Sequence, residues 1–269
     1  MPKVLSLEEF EDLGGRKEVS TLLLQMIGDD DIGALELAKV AGGDPILSAK
    51  VMRMANSTYY GLSGRVKDLH FAISVIGLLA LRSIAVSVMM ERVMPISRDT
   101  WRRFLSEAGL AVELSKYFGA DQGEAICAGM VMNIGELVLA QHDLRGYPLL
   151  HREISKLALY LQDSVAEQRE RQIYGKSHSD ISRDLLVKWR FPMEICDAVG
   201  DHHSWTKEKS TLSKCLYSVS AIFPYYRSRT TELDLELSVP EELMHVDWTS
   251  LFARVSKFVG DVLPSFQLT

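Results

Sequence analysis

The sequence predicts an all-α protein built as two helical lobes. Apolar residues recur at three- and four-residue spacing along most of the chain, two-residue alternation is nearly absent, and helix-start residues stand at the expected boundaries. A chain of 269 residues has room for this arrangement. The expected division is an N-terminal helical bundle over 1–95, packed on a second helical lobe over 96–223, with a C-terminal extension over 224–269.

Asp44-Pro45 is a strong helix start, with Asp as N-cap and Pro at the first helical position. Leu47, Val51, Met54 and Ala55 follow on one face. Asp68 caps the next segment, where Ala72, Ile73 and Ile76 point inward before Gly77 ends it. The stretch from Leu78 to Met94 is apolar almost all round, which predicts a central helix. Trp101, Leu105, Ala108, Val112 and Ser115 form one stripe; Ile126, Met130, Ile134 and Val138 form another. One long segment carries Ile154, Leu157, Leu161 and Val165 inward and turns polar over 167–172. Ser177 with Asp180 resembles a capping box, and Pro192 starts a helix expected to run through Ile195, Val199 and His202. Leu233, Leu235 and Leu237 alternate with acidic residues, as in a short strand or an extended linker.

A formal net charge of −6 and the lack of any long Lys or Arg run argue against a nucleic-acid partner. Cys127, Cys196 and Cys215 are scattered in apolar segments, the pattern of buried thiols in a reducing compartment. No charged-then-apolar leader opens the sequence, and Arg82 interrupts the apolar stretch from Ile73 to Met90. A cytoplasmic protein without a membrane partner is the expectation. Phosphate-binding glycine loops and the G-x-S-x-G elbow are absent. The acidic run Asp29-Asp30-Asp31 lacks calcium-loop spacing and reads as a cap and solvated turn.

Several motifs then follow in order. Asp44-Pro45-Ile46-Leu47 precedes Arg53-Met54-Ala55-Asn56-Ser57, Tyr59-Tyr60-Gly61, Ala72-Ile73 and Ile76-Gly77. Together they resemble the signature of the HDOD family, all-helical relatives of the HD phosphohydrolases, and the likeness extends from about Lys17 to about His203. The resemblance makes the second lobe HD-like. HD hydrolases hold metal with a His, an adjacent His-Asp pair and later His or Asp residues. The matching frame here is Gly129-Met130-Val131-Met132-Asn133-Ile134-Gly135, with Met132 for His and Asn133 for Asp; the first His position falls at Arg103. A thioether, an amide and a guanidinium make a poor set for a hard cation. His178, Ile181, Leu186, Trp189, Pro192 and His202-His203 follow the later part of the family pattern, with Ser182 where Gly is usual.

The resemblance implies a bacterial signalling role. Arg103, Met132, Asn133, His178, His202 and His203 then mark a vestigial site with no catalytic residue, metal or cofactor expected. The chain would act as a stand-alone adaptor on another signalling protein. Its candidate docking edge is the turn carrying Asn56, Tyr59, Tyr60 and Arg65, although caps and packing explain those residues as readily. Two alternatives stay open. One is a metal-dependent phosphohydrolase using His178, His202, His203 and a carboxylate such as Asp201. The other is a sensor holding a nucleotide or anion in the old pocket beside Arg103 and Asn133. Against one ion shared by His202 and His203 stands their expected divergence of about 100° on a helix.

Overall fold

The computed structural model describes residues 19–26, 32–93, 96–157, 159–206, 208–231 and 240–266, and all regular structure among them is helical. Helices α1 (Val19–Met26), α2 (Ala34–Ala41) and α3 (Pro45–Ala55) pack on the long α4 (Leu69–Val93). The chain continues through α5 (Arg98–Phe118), α6 (Gln122–Val131), α7 (Ile134–His142), α8 (Gly146–Ile154) and α9 (Leu159–Tyr174). It ends with α10 (His178–Lys188), α11 (Met193–Gly200), α12 (Thr211–Ser228) and α13 (Trp248–Val262). The paired α5 and α6 form the centre: α6 also packs on α4 and α12, while α12 and α13 pack on α5.

The start signals act as their chemistry dictates. Asp44 Oδ1 accepts from the backbone N–H groups of Ile46 (2.9 Å) and Leu47 (3.2 Å), satisfying donors that have no partner within the helix. Asp68 accepts from Phe71 N at the head of α4. Gly77 breaks α4 with φ 78° and ψ 168°, a backbone shape that glycine adopts without steric penalty. Beyond that kink Ala80–Met90 are buried without exception. The burial includes Arg82, whose Nη1 donates to the Arg190 carbonyl (2.9 Å) and whose guanidinium lies over the Phe191 ring. Leu69–Glu91 and Gln122–His142 are long and apolar enough to cross a membrane, and most of each is buried inside this fold.

Two expected elements differ. The stripe from Ile126 to Val138 is buried but is shared by α6 and α7, which break at Met132-Asn133. The segment from Ile154 to Val165 is also two helices, and Leu157 lies exposed in the turn after α8. Leu233, Leu235, Leu237 and the run Asp29-Asp30-Asp31 lie outside the described residues. Lys50 is an unforeseen core cation. It is almost fully buried, pairs with Glu91, and sits 4.5 Å from the ring centroids of both Trp101 and Phe266. It thereby joins α3, α4, α5 and the C-terminal 3-10 turn.

The turn after α3 is latched from within. Asn56 Nδ2 donates to the carbonyls of Met52 (3.0 Å) and Val66 (2.9 Å), and its Oδ1 accepts from Val66 N (3.1 Å). Asn56→Ala strands the buried Val66 amide, so a loss of about 1–3 kcal/mol is expected in urea denaturation. An unchanged midpoint would show that the latch contributes nothing.

Candidate functional site

The break between α6 and α7 places Met132 and Asn133 together where α6 packs on α4 and α5. Met132 is buried at the C-terminal end of α6. Asn133, also buried, donates from Nδ2 to Glu107 Oε1 (2.9 Å). Arg103, one turn before Glu107 on α5, donates from Nε to that same oxygen (2.7 Å). Its two terminal nitrogens clasp Glu136 on α7 at 2.5 and 2.8 Å, a bidentate charge-assisted pair. Arg103 and Asn133, thirty residues apart in sequence, therefore meet on one carboxylate oxygen.

One cation here serves two carboxylates. Burial pushes both carboxyl pKa values up and Arg103 pulls them down. Glu136, clasped twice, ends below the ordinary carboxylate range; Glu107 is pushed up to about 7. Burial disfavours the guanidinium charge, but Glu136 and Glu107 together hold Arg103 well above its ordinary value. Glu107 Oε2 and Asn133 Oδ1 have no hydrogen-bond partner among the described residues.

A second cluster lies across α9, α10 and α12. The Ser177–Asp180 capping box starts α10 and fixes His178 as its first residue. His178 Nδ1 lies 2.6 Å from Glu170 Oε2, and the His178 amide donates to that oxygen at 2.8 Å. His178 Nε2 lies 2.8 Å from His203 Nε2, and His203 Nδ1 lies 2.9 Å from Ser220 Oγ. His202 Nδ1 faces the Val199 carbonyl at 2.5 Å, leaving a buried Nε2 without a partner among the described residues. The expected divergence of His202 and His203 fails, because α11 stops at Gly200 and both residues lie in the turn beyond it. Their ring centroids are 4.0 Å apart, and both stand within 5.4 Å of His178. One nitrogen from each ring falls within 4.8 Å of the others.

Burial opposes charge on all three rings. The Glu170 carboxylate overcomes this at His178, which is raised to about 9, while Glu170 is itself held far below the usual carboxylate range. Burial and the neighbouring His178 charge lower His202 to about 3; burial, His202 and His178 take His203 well below its ordinary value. Near neutral pH the cluster is one imidazolium beside two neutral imidazoles.

Three carboxylates organise the two clusters, and none was singled out in the sequence. Glu170 sat in a stretch read as polar, although Ala166, Glu170 and Tyr174 recur every four residues and are all buried. Glu107 follows Arg103 by four, the spacing of a helical ion pair, and Glu136 opens α7 three residues after Asn133. Asp201, the expected carboxylate partner of the histidines, instead pairs with Lys209. Ser182 Oγ accepts from Gly135 N (2.9 Å), where a Cβ on Gly135 would strike the His178 carbonyl, so α7 and α10 touch backbone to backbone. The two clusters open differently: Arg103 and Glu136 line a cavity of about 1220 Å³, and His203 borders one of about 380 Å³.

The turn offered as a docking edge is largely engaged by the chain itself. Asn56 is the latch described above. Thr58 N donates to Asp261 Oδ2 and Arg53 Nε to the Asp261 carbonyl, both on α13. Tyr59 packs edge-on against Phe258 and Tyr60, and both tyrosines are half-buried. Arg65 is exposed.

The raised pKa of Glu107 gives a pH signature. A carboxyl that holds its proton more tightly when folded contributes stability fully present below the unfolded value of 4.5 and lost as pH rises through about 7. From about pH 5 to about pH 8, the wild type should lose more stability than Glu107→Gln, by on the order of 1–3 kcal/mol. Parallel pH profiles for the two proteins in thermal denaturation would contradict this.

Comparison with known proteins places this geometry. The family model for the HDOD domain matches residues 16–205. A candidate phosphohydrolase from Shewanella amazonensis superposes with a TM-score of 0.67 at 19% identity, covering 97% of each chain. A candidate signal transduction protein from Marinobacter aquaeolei gives 0.70 at 21% identity, covering 99% of this chain and 63% of that one. An HDOD domain protein from Geobacter sulfurreducens gives 0.53 at 18% identity, over 98% of this chain and 94% of that one. An uncharacterized protein from Treponema pallidum is 22% identical over 191 residues, so the chain spans about 35% of that relative's length. With the family model covering most of the sequence and an all-helical fold shared with these structures, the chain belongs to the HDOD family.

Proposed function

We propose that this chain is a regulatory HDOD protein that acts through contacts with another signalling protein and hydrolyses no phosphoester. The observation that carries this reading is the Arg103–Glu136–Glu107–Asn133 cluster. The residues at the His-Asp position offer a thioether and an amide, and the nearby carboxylates are already committed to a guanidinium. A hard cation there would have to displace Arg103 and then share its site with that charge. The Marinobacter relative, described as a candidate signal transduction protein, agrees with a signalling role. On this reading Arg65 is the part of the 56–65 turn that faces a partner, since the tyrosines lie against α13.

One observation favours a second reading. Each of the three histidines has its Nδ1 beside an oxygen of Glu170, Val199 or Ser220, and one ligating nitrogen from each ring lies within 4.8 Å of the others. Such outer contacts are how proteins orient imidazoles for a metal. His178, His202 and His203 fit a single divalent cation, which when bound would supply a Lewis acid. The remaining family positions do not fit one.

The protein, loaded with Zn, Mn or Fe salts and dialysed, is expected to retain far less than one ion per chain and to cleave neither cyclic dinucleotides nor nucleoside phosphates. About one ion per chain, lost in His178→Ala, would establish the second reading; metal-dependent turnover would overturn the first. Restoring the family pair by Met132→His with Asn133→Asp should still give no turnover. With Arg103 a few ångströms away, repulsion on the order of several kcal/mol remains at an effective dielectric near 20. A substantial metal-dependent rate in that double variant would show that Arg103 is no barrier.

A further inference from the structure

The cavity of about 1220 Å³ beside Arg103 has walls that the family frame does not supply. Its outer side is built by α12 and α13, from residues after 205, beyond the region matched by the family model. In a chain of net charge −6, five arginines line it: Arg98, Arg102, Arg103, Arg227 and Arg229. Only two carboxylates join them, and both are spoken for: Asp99 pairs with Arg102, and Glu136 with Arg103. Arg98, Arg227 and Arg229 have no carboxylate partner among the described residues. Three guanidinium groups with no carboxylate partner among the described residues line one concavity, and clustered cations of this kind attract phosphate.

Two further features specify the anion. The N-terminus of α5, a helix of 21 residues, borders the cavity through Arg98, Asp99 and Thr100, with the Thr100 amide capped by Ser97 Oγ at 3.1 Å. The lining also includes the aromatic rings of Tyr226 and Phe252, edge-on to each other at 5.3 Å, while Phe223 lies under the Arg103 guanidinium. A bare phosphate has no use for that wall, whereas a flat heterocycle stacks on it. The volume exceeds what a simple oxyanion requires and lies just above the usual range of small-molecule sites, about 300–1,000 Å³. Arg229 also ends α12 in the left-handed conformation, φ 57°, a position usually taken by glycine.

We propose that this cavity binds a nucleotide carrying two or more phosphate charges, its phosphates on Arg98, Arg227 and Arg229 and its base on the aromatic wall. The ligand is held without cleavage, so the site works as an input to the protein. This assignment is independent of whether the histidine cluster holds a metal and of which partner the protein contacts.

The test is calorimetric titration of the full chain with ATP, GTP and inorganic pyrophosphate at two salt concentrations. At least one nucleotide is expected to bind with a Kd in the micromolar range, more weakly at higher salt. Arg227→Glu with Arg229→Glu, both exposed and checked for fold by circular dichroism, should weaken that binding at least about tenfold. Tyr226→Ala should weaken the nucleotide and leave pyrophosphate unchanged. No nucleotide binding at about 1 mM ligand, or affinity indifferent to the arginine substitutions, overturns the proposal. Pyrophosphate binding as tightly as either nucleotide also overturns it, leaving a plain anion site.

Discussion

The second lobe is organised around one guanidinium. Arg103 reaches from α5 to Glu136 on α7 and, through Glu107, to Asn133 at the break between α6 and α7. Three helices are thus keyed to one side chain, and breaking a largely buried pair of this kind is strongly destabilising. At the position that resembles a metal-ligating His in HD hydrolases stands a guanidinium, which carries the same sign of charge as a metal ion. The carboxylates around it compensate that charge rather than collect a cation. The ion pair keeps α5, α6 and α7 in register.

The histidine cluster follows another logic. Glu170 fixes His178 and concentrates positive charge on it, while burial keeps His202 and His203 neutral. The arginine cluster and the imidazole cluster open on different cavities. Holding a single cation, or holding α9, α10 and α12 together, needs only the imidazole cluster.

The C-terminal helix links these regions to the first lobe. α13 packs on α5 and α3, bonds to the turn after α3 through Asp261, and leads into the turn that brings Phe266 over Lys50 and Trp101. It also walls the large cavity with Phe252. A ligand in that cavity would touch the same helix that covers Tyr59. Input at the cavity and output at the 56–65 turn would then share one rigid element, which is the physical requirement for coupling two sites.

The sequence by itself determined the helices, because their signals are local. Asp44-Pro45, Asp68, Gly77 and the Ser177–Asp180 box act within one turn of chain, and each appears where those residue types demand it. It also carried the family likeness, which is readable as ordered residues. Tertiary structure alone decided the rest. The stop of α11 at Gly200 turned His202 and His203 toward one centre, against the divergence that an uninterrupted helix would impose. Glu170 became a buried partner of His178, and Asp201 a partner of Lys209, because helix packing determines which polar face is covered. Arg227 and Arg229 met Arg98 only because α12 ends beside the start of α5. Periodicity records which residues face inward; the charge that each then meets depends on a neighbour distant in sequence.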